Sequence, residues 1–216
     1  MVFGIVDVIT VQPTNDGMTA AAEAIRAGEV VAYPTETVYG LGVDPFSETA
    51  VERLFEVKGR VPDKPVLVIV ADVEQLGQVT RRISRTAAAY IDAFWPGPLS
   101  LLFPRASILA PALTAGSDKV CARCPANTTA RQLCRAVGHA ITSSSANRSG
   151  AAPAQRLSDI ELEGVAVGID GGALGPGPPS TVLDPDCFEV HREGTISRRT
   201  LADFREQWQY NHRHSL

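Results

Sequence analysis

Apolar residues recur along the chain in two patterns, one of helical period and one of short continuous runs. A helix is predicted between Ser47, which can cap it, and Gly59, which can end it. Val51 and Leu54 fall at helical spacing inside this segment. Residues 66–70 instead form an unbroken apolar run of strand length, typical of a strand buried on both faces. The chain therefore carries the signals of both helices and buried strands.

The same patterns, bounded by Gly and Pro, divide most of the chain into elements. The predicted helices cover residues 18–27, 47–58, 84–94, 127–137 and about 200–208. The predicted strands cover residues 30–33, 66–70, 99–103, 120–124, 140–144, 165–170, 181–183 and 188–192. The Gly/Pro-rich residues 171–179 form the predicted long loop. Because the strands are irregularly spaced, this order predicts an α/β protein of the α+β type, with a twisted mixed sheet flanked by helices.

The length and composition are those of an ordinary globular protein. The chain has 216 residues, of which 44% are apolar and 20% charged, so we expect one large domain or one domain with a small appendage. No window approaches the roughly 20 apolar residues that span a bilayer, and the N-terminus lacks the order of a signal peptide. We therefore expect a cytoplasmic protein without membrane contact.

The distribution of charge argues against tight non-specific binding of nucleic acid. The formal net charge is −4, whereas a nucleic-acid binder is normally basic over the surface that it uses. Residues 191–216 nevertheless contain five arginines and no lysine, so a local basic face is still compatible with the sequence.

Cys121 and Cys124 form a CxxC pair, and the other cysteines are Cys134 and Cys187. Such a pair can be half of a zinc site or a redox pair. It can equally be two small apolar residues at a strand end, and no second CxxC or histidine pair follows at zinc-finger spacing. We favour the structural interpretation, with no bound metal, because isolated cysteines usually behave as buried hydrophobes.

The common nucleotide-binding and nucleophile motifs are missing from the sequence. It contains no GxxxxGK[ST] loop, no GxGxxG after a strand and no GxSxG elbow. Any phosphate binding must therefore come from side chains and loops of another design.

Two segments in the first third of the chain could supply such a site. Residues 33–42, YPTETVYGLG, combine hydroxyls, an acid and two glycines directly after a strand, although an ordinary strand–turn–strand connection has the same composition. Residues 58–65, KGRVPDKP, place three cations on one loop. Such a loop can clamp a triphosphate, since arginine gives bidentate contacts and lysine a mobile charge, or it can be a solvated basic loop.

Two further segments lie in the C-terminal half. Residues 142–150, TSSSANRSG, follow a strand and are dense in donors that suit phosphate oxygens, although a flexible Ser-rich linker is the alternative. Residues 179–184, PSTVLD, deliver hydroxyls into a strand, and residues 191–196, HREGTI, follow with an arginine that could also be an ordinary surface residue.

Together and in this order, these segments resemble the YrdC-like family. The family pattern is PT[DE]TVYGLG, a KxR loop before a Pro-apolar strand, FWPGP, VxRxP, SxN, STVxD and a trailing RxG. The matching residues are 34–42, 58–60, 94–98, 123–125, 145–147, 180–184 and 192–194. Each motif alone is weak, but their ordered occurrence over about residues 15–200 is specific.

The resemblance implies a fold and a domain organisation. The expected YrdC-like fold is a twisted mixed sheet around a concave basic cavity, formed by a single domain over residues 1–216. Its core would cover about residues 15–200, and residues 209–216 would form a C-terminal tail. The chain stops soon after the RxG motif, so it looks like the short form of the family, without the extra C-terminal domain of longer relatives.

The resemblance also implies an enzyme, a threonylcarbamoyl-AMP synthase of the nucleotidyltransferase class. Bicarbonate and L-threonine give N-carboxy-threonine, whose carboxylate attacks the α-phosphate of ATP and releases pyrophosphate. A partner complex then transfers the threonylcarbamoyl group to adenosine 37 of tRNA. ATP would arrive with Mg²⁺ as a substrate complex, and no prosthetic group is expected.

Residue roles follow from the matched motifs. The resemblance implies that Lys58 and Arg60 are catalytic and hold the phosphates of ATP. It adds Lys64, Asn147 and Arg192 to the ATP site. It assigns Thr35, Arg123, Ser145 and Ser180 to threonine, with Arg123 facing the carboxylate. A phosphoryl attack of this kind needs alignment and charge neutralisation rather than a protein nucleophile.

The sequence departs from the family at two places that concern threonine recognition. Ile69 stands where many members carry a histidine in the strand after the KxR loop. Ala126 and Asn127 follow Pro125 where many members have Pro-x-His-Pro.

Two other functions compete with the synthase. One is an RNA-binding or ribosome-assembly module that uses the same concave surface, but such a module would not need hydroxyls among the cations. The other is a sibling enzyme that makes a carbamoyl-adenylate from carbamoyl phosphate, although such relatives are usually much longer chains with zinc fingers.

Overall fold

The computed structural model describes residues 8–61 and 63–213. The helices are α1 (Asn15–Arg26), α2 (Glu48–Lys58), α3 (Val73–Val79), α4 (Arg85–Phe94), α5 (Thr128–Val137) and α6 (Arg198–Arg213). The strands are β1 (Ile9–Val11), β2 (Val30–Pro34), β3 (Tyr39–Gly42), β4 (Leu67–Ile69), β5 (Leu99–Pro104), β6 (Lys119–Arg123), β7 (Ile141–Ser145), β8 (Val165–Ile169), β9 (Thr181–Asp184) and β10 (Glu189–Arg192). None of the helices in these ranges has the length and apolar character needed to cross a membrane.

The described strands form one mixed sheet in the order β1-β8-β2-β3-β7-β4-β6-β5-β9-β10. Neighbours are parallel at β1/β8, β8/β2, β4/β6 and β5/β9, and antiparallel elsewhere. This arrangement confirms the predicted mixed sheet flanked by helices.

Alternate residues of β2 face the two cores of the protein, as the period of a strand requires. Val30 and Ala32 belong to a core that includes residues of α2, α3, α4 and α6. Val31 and Tyr33 belong to a second core with residues of α1 and α5. The sheet is therefore covered by helices on both faces, which explains why the strands read as continuous apolar runs.

Local signals placed the helix boundaries correctly at α2. The Ser47 side chain accepts a hydrogen bond from the backbone N–H of Ala50, and Gly59 ends the helix in the left-handed conformation with φ of 58°. At the other end of the chain, α6 continues to Arg213, beyond the predicted end near residue 208. Residues 209–213 of the expected tail are thus helical, and 214–216 lie outside the described residues.

The elements β1, β3 and α3 have no counterpart among the predicted helices and strands. The strand β3 contains two glycines, a residue type with weak strand propensity. A Cβ on Gly42 would lie 2.9 Å from Cε1 of Tyr33, and one on Gly40 would lie 3.1 Å from its Cζ. The glycines therefore let β3 pair closely with β2 beneath the Tyr33 ring, and this pairing positions the 35–38 turn.

Candidate functional site

A cavity of about 310 Å³ opens where β3, β7, β4 and β6 are neighbours in the sheet. Its volume is within the range of about 300–1,000 Å³ that is usual for ligand sites. Six residues predicted for the site line this cavity: Thr35, Arg60, Arg123, Ser145, Ser180 and Arg192. Lys58, Lys64 and Asn147 are not among its described lining residues. The four segments singled out in the sequence thus meet at one cavity, together with Arg123 of the VxRxP motif.

Arg123, at the end of β6, is buried with 7% of its surface exposed. Its Nη1 donates to Oε2 of Glu36 at 3.0 Å, and its Nε is buried without a hydrogen-bond partner among the described residues. The other carboxylate oxygen of Glu36 accepts from the backbone N–H of Ala126 at 2.6 Å. Glu36 therefore fixes one edge of the guanidinium of a side chain that also lines the cavity.

The Thr35 hydroxyl closes the turn between β2 and β3. Its Oγ1 donates to the carbonyl of Val38 at 2.6 Å. The Thr35 carbonyl accepts from Nδ2 of Asn127 at 3.0 Å, and Oδ1 of Asn127 caps α5 by accepting from the N–H of Ala130. Asn127, one of the departures from the family pattern, thus joins the turn to the start of α5.

The other departure, Ile69, lies in a core rather than at the cavity. It is fully buried among residues of α1 and α5. The described lining of the cavity does not include it.

Arg192 is tied to the loop that precedes β9. Its Nε donates to the Ser180 carbonyl and its Nη2 to the Ser180 hydroxyl, both at 3.1 Å. The hydroxyls of Ser180 and Ser100 lie 2.9 Å apart. A Cβ on Gly194 would lie 2.0 Å from the Pro179 carbonyl oxygen, so only glycine fits beside this loop. The RxG and STVxD segments therefore form one wall of the cavity.

The three cations expected on one loop occupy different environments, because Lys58 is the last residue of α2 and only Arg60 and Lys64 lie on the loop after it. Arg60 lines the cavity, and its Nη2 donates to the Lys64 carbonyl at 2.7 Å. The Lys64 side chain is exposed. Lys58 is buried, and its Nζ donates to the carbonyls of Ser145 and, at 2.9 Å, Asn147. Burial, with a smaller contribution from the charge of Arg60, lowers the pKa of Lys58 to about 8.

The Asn147 side chain turns toward its own loop. Its Nδ2 donates to the carbonyls of Arg148 and Ala151, both at 2.8 Å. Its Oδ1 is buried without a hydrogen-bond partner among the described residues.

The cavity also contains polar residues that had no predicted role. They are Glu36, Thr37, Ser143, Ser144 and Thr195. All five belong to the hydroxyl-rich segments at residues 33–42, 142–150 and 191–196. The family pattern alone does not predict which side chains of these segments face the cavity.

The environment of the CxxC pair supports its interpretation as structural. The Sγ of Cys124 donates to the Ala71 carbonyl at 3.3 Å. Burial raises the pKa of both thiols, that of Cys121 to about 12. Because the thiolate is the metal ligand and the nucleophile, such thiols are poorly suited to either role near neutral pH.

We therefore expect the double variant Cys121→Ala/Cys124→Ser to keep its activity within a few-fold. Serine retains the donor that Cys124 uses toward Ala71. Elemental analysis of the purified wild-type protein should find no stoichiometric zinc. A zinc content near one per chain would overturn the structural interpretation.

The fold and site define an α/β protein with an arginine- and hydroxyl-lined cavity at the centre of a mixed sheet. A family model described as "Telomere recombination", that of the Sua5/YciO/YrdC domain, matches residues 23–194. The chain belongs to this family.

Individual relatives cover most of the chain. Threonylcarbamoyl-AMP synthase of Bacillus subtilis is 42% identical over 203 residues, which are 91% of this chain and 59% of the relative. The protein of the same name from Chromohalobacter salexigens is 38% identical over 183 residues, 84% of this chain and 99% of the relative.

Among solved structures, the fold resembles that of Pyrococcus abyssi Sua5 complexed with L-threonine. The TM-score is 0.83 at 34% identity, over 91% of this chain and 60% of that one. The chain thus spans about three fifths of the length of the Bacillus and Pyrococcus proteins, but nearly all of the Chromohalobacter one.

Proposed function

We propose that this protein is an L-threonylcarbamoyladenylate synthase, which makes threonylcarbamoyl-AMP and pyrophosphate from L-threonine, bicarbonate and ATP. The observation that carries the proposal is Arg123. It is a buried arginine whose Nε has no hydrogen-bond partner among the described residues, and it lines the same cavity as Arg60, Arg192 and several hydroxyl groups. Relatives named threonylcarbamoyl-AMP synthase and a relative solved with L-threonine support it.

The proposed reaction has two steps, and each balances. The threonine nitrogen forms a bond to the carbon of bicarbonate, and water leaves to give the N-carboxylate. A carboxylate oxygen then forms a bond to the α-phosphorus of ATP, while the bond from that phosphorus to the bridging oxygen breaks and pyrophosphate leaves with the electron pair. The protein contributes alignment of the two substrates and neutralisation of phosphate charge.

The two substrates, threonine and ATP, are assigned to different residues. In the proposal, Arg123 holds the threonine carboxylate, with Thr35, Ser145 and Ser180 around the amino acid. The family resemblance assigns Lys58, Arg60, Lys64, Asn147 and Arg192 to ATP, and of these Arg60 and Arg192 line the cavity. Arginine suits both tasks, because its planar donors match carboxylate and phosphate oxygens in pairs.

The chemistry of the substrates and product indicates which ion accompanies ATP, what consumes the product and where the reaction takes place. ATP enters as its Mg²⁺ complex, so the ion belongs to the substrate. The product is a reactive mixed anhydride, which a threonylcarbamoyl-transfer complex would consume to modify adenosine 37 of tRNA. We place the reaction in the cytoplasm, where ATP, threonine and tRNA occur together.

Product formation should require ATP, Mg²⁺, bicarbonate and L-threonine together. Leaving out threonine or bicarbonate removes the attacking carboxylate, so pyrophosphate release should fall to background. Mass spectrometry of the complete mixture should show threonylcarbamoyl-AMP. Robust pyrophosphate release without threonine would refute the proposal and favour the sibling carbamoyl-adenylate reaction. Absence of turnover combined with tight RNA binding would favour the RNA-binding module.

A further inference from the structure

Lys58 contacts the turn after β7 with both its side chain and its main chain. Its Nζ donates to the carbonyls of Ser145 and Asn147, and its own carbonyl accepts from the N–H of Ser149 at 3.0 Å. The residue is the last of α2, and only 4% of its surface is exposed. Residues 145–149 are therefore held against the end of α2 by one amino acid.

The turn that Lys58 holds carries residues for both proposed substrates. Ser145 lines the cavity, on the side assigned to threonine, and Asn147 is assigned to the nucleotide. The N–H of Ala146 donates to the Tyr39 carbonyl at 2.8 Å, which ties the same turn to β3. A shift of this turn would move both residues at once.

The same contacts leave Lys58 poorly placed to bind phosphate. Two of the three donors of its ammonium group are engaged by carbonyls, and it is not among the described residues that line the cavity. Moving the ammonium group into the cavity to reach a phosphate would leave those carbonyls without this donor, at a cost in free energy.

We infer that Lys58 is a positioning residue, which orients the 145–149 turn for both substrates, and that it is not a phosphate ligand. This inference deepens the proposed function and rests on it. It departs from the expectation, implied by the family resemblance, that Lys58 is catalytic and contacts ATP directly. Arg60, Lys64 and Arg192 then supply the phosphate contacts.

Calorimetric titration of the full chain with adenosine, AMP, ATP and L-threonine separates the two roles. Lys58→Met keeps the aliphatic stem but removes the donors. It should therefore lower the affinity for all four ligands by a similar factor, about tenfold. Arg60→Ala is the matched variant of a proposed phosphate ligand. The affinity that Arg60→Ala loses should grow with the number of phosphates, from adenosine to AMP to ATP, and its affinity for threonine should be unchanged. If Lys58→Met weakened only the phosphorylated ligands, progressively with phosphate number, the inference would be overturned.

Hydrogen exchange tests the position of the turn without any ligand. The N–H groups of residues 145–151 should exchange faster in Lys58→Met than in the wild-type protein, and at the wild-type rate in Arg60→Ala. Unchanged exchange in Lys58→Met would contradict the inference. If the wild-type protein bound neither threonine nor ATP, the proposed function would fail, while this measurement would still decide whether Lys58 holds the turn.

A third measurement needs no variant at position 58, and so covers the case in which Lys58→Met does not fold. The chain has only three lysines, Lys58, Lys64 and Lys119, so their amino groups can be followed by NMR of lysine-labelled protein. Lys64→Arg and Lys119→Arg identify the signals by elimination. Saturation with ATP should leave the pKa of Lys58 nearly unchanged, whereas a large rise would show a phosphate contact and refute the inference.

Discussion

Arg123→Ala should lose most of its affinity for L-threonine while it still binds ATP. The guanidinium is buried, Glu36 holds one of its edges, and its Nε has no partner among the described residues. A charge-assisted contact to the substrate carboxylate in such a place is worth on the order of 2–4 kcal/mol. Calorimetric titration of the variant with each ligand would measure the loss.

Two further variants make the result for Arg123 specific. Arg123→Lys should rescue threonine binding only in part, because an ammonium group cannot reproduce the guanidinium fork. Arg82→Ala removes an exposed arginine outside the described lining of the cavity, and it should not change the affinity for either ligand. If Arg123→Ala abolished ATP binding and left threonine binding unchanged, the assignment of the two sub-sites would be wrong. The class of enzyme could still be correct.

The elements predicted from sequence are those whose signals are local. Ser47 and Ser84 each cap a helix within their own turn, and buried runs such as residues 66–70 need no distant partner to be recognised. The strand β3 could not be predicted in this way. Its glycines make sense only once the Tyr33 ring of the neighbouring strand is known to lie over them.

The same distinction applies to the site. The ordered motifs identified the segments, and the structure brings six of the nine predicted side chains to one cavity. Of the other three, Asn147 bonds its own loop and Lys64 is exposed, whereas the direction of Lys58 depends on a distant part of the chain. Lys58 bonds carbonyls 87 and 89 positions away. No local pattern encodes such a contact, so the sequence could predict that Lys58 matters without predicting what it touches.

Arg60→Ala should weaken ATP binding and slow turnover, yet leave threonine binding largely intact. Arg60 lines the cavity on the loop assigned to phosphates, and its loss removes a charge-assisted contact worth on the order of 2–4 kcal/mol. Titration with ATP and with threonine, together with the rate of pyrophosphate release, would show the effect. Arg60→Lys should recover only part of it.

The loop geometry provides a matched control for Arg60. Its Nη2 also donates to the Lys64 carbonyl, so Arg60→Ala could act partly by releasing the loop that carries Lys64. Lys64→Ala separates the two effects. Because Lys64 is exposed, its own contact with ATP should be worth at most about 1 kcal/mol, and its loss should cost much less than that of Arg60. Equal losses of ATP affinity in the two variants would mean that Arg60 acts by holding the loop rather than by touching phosphate.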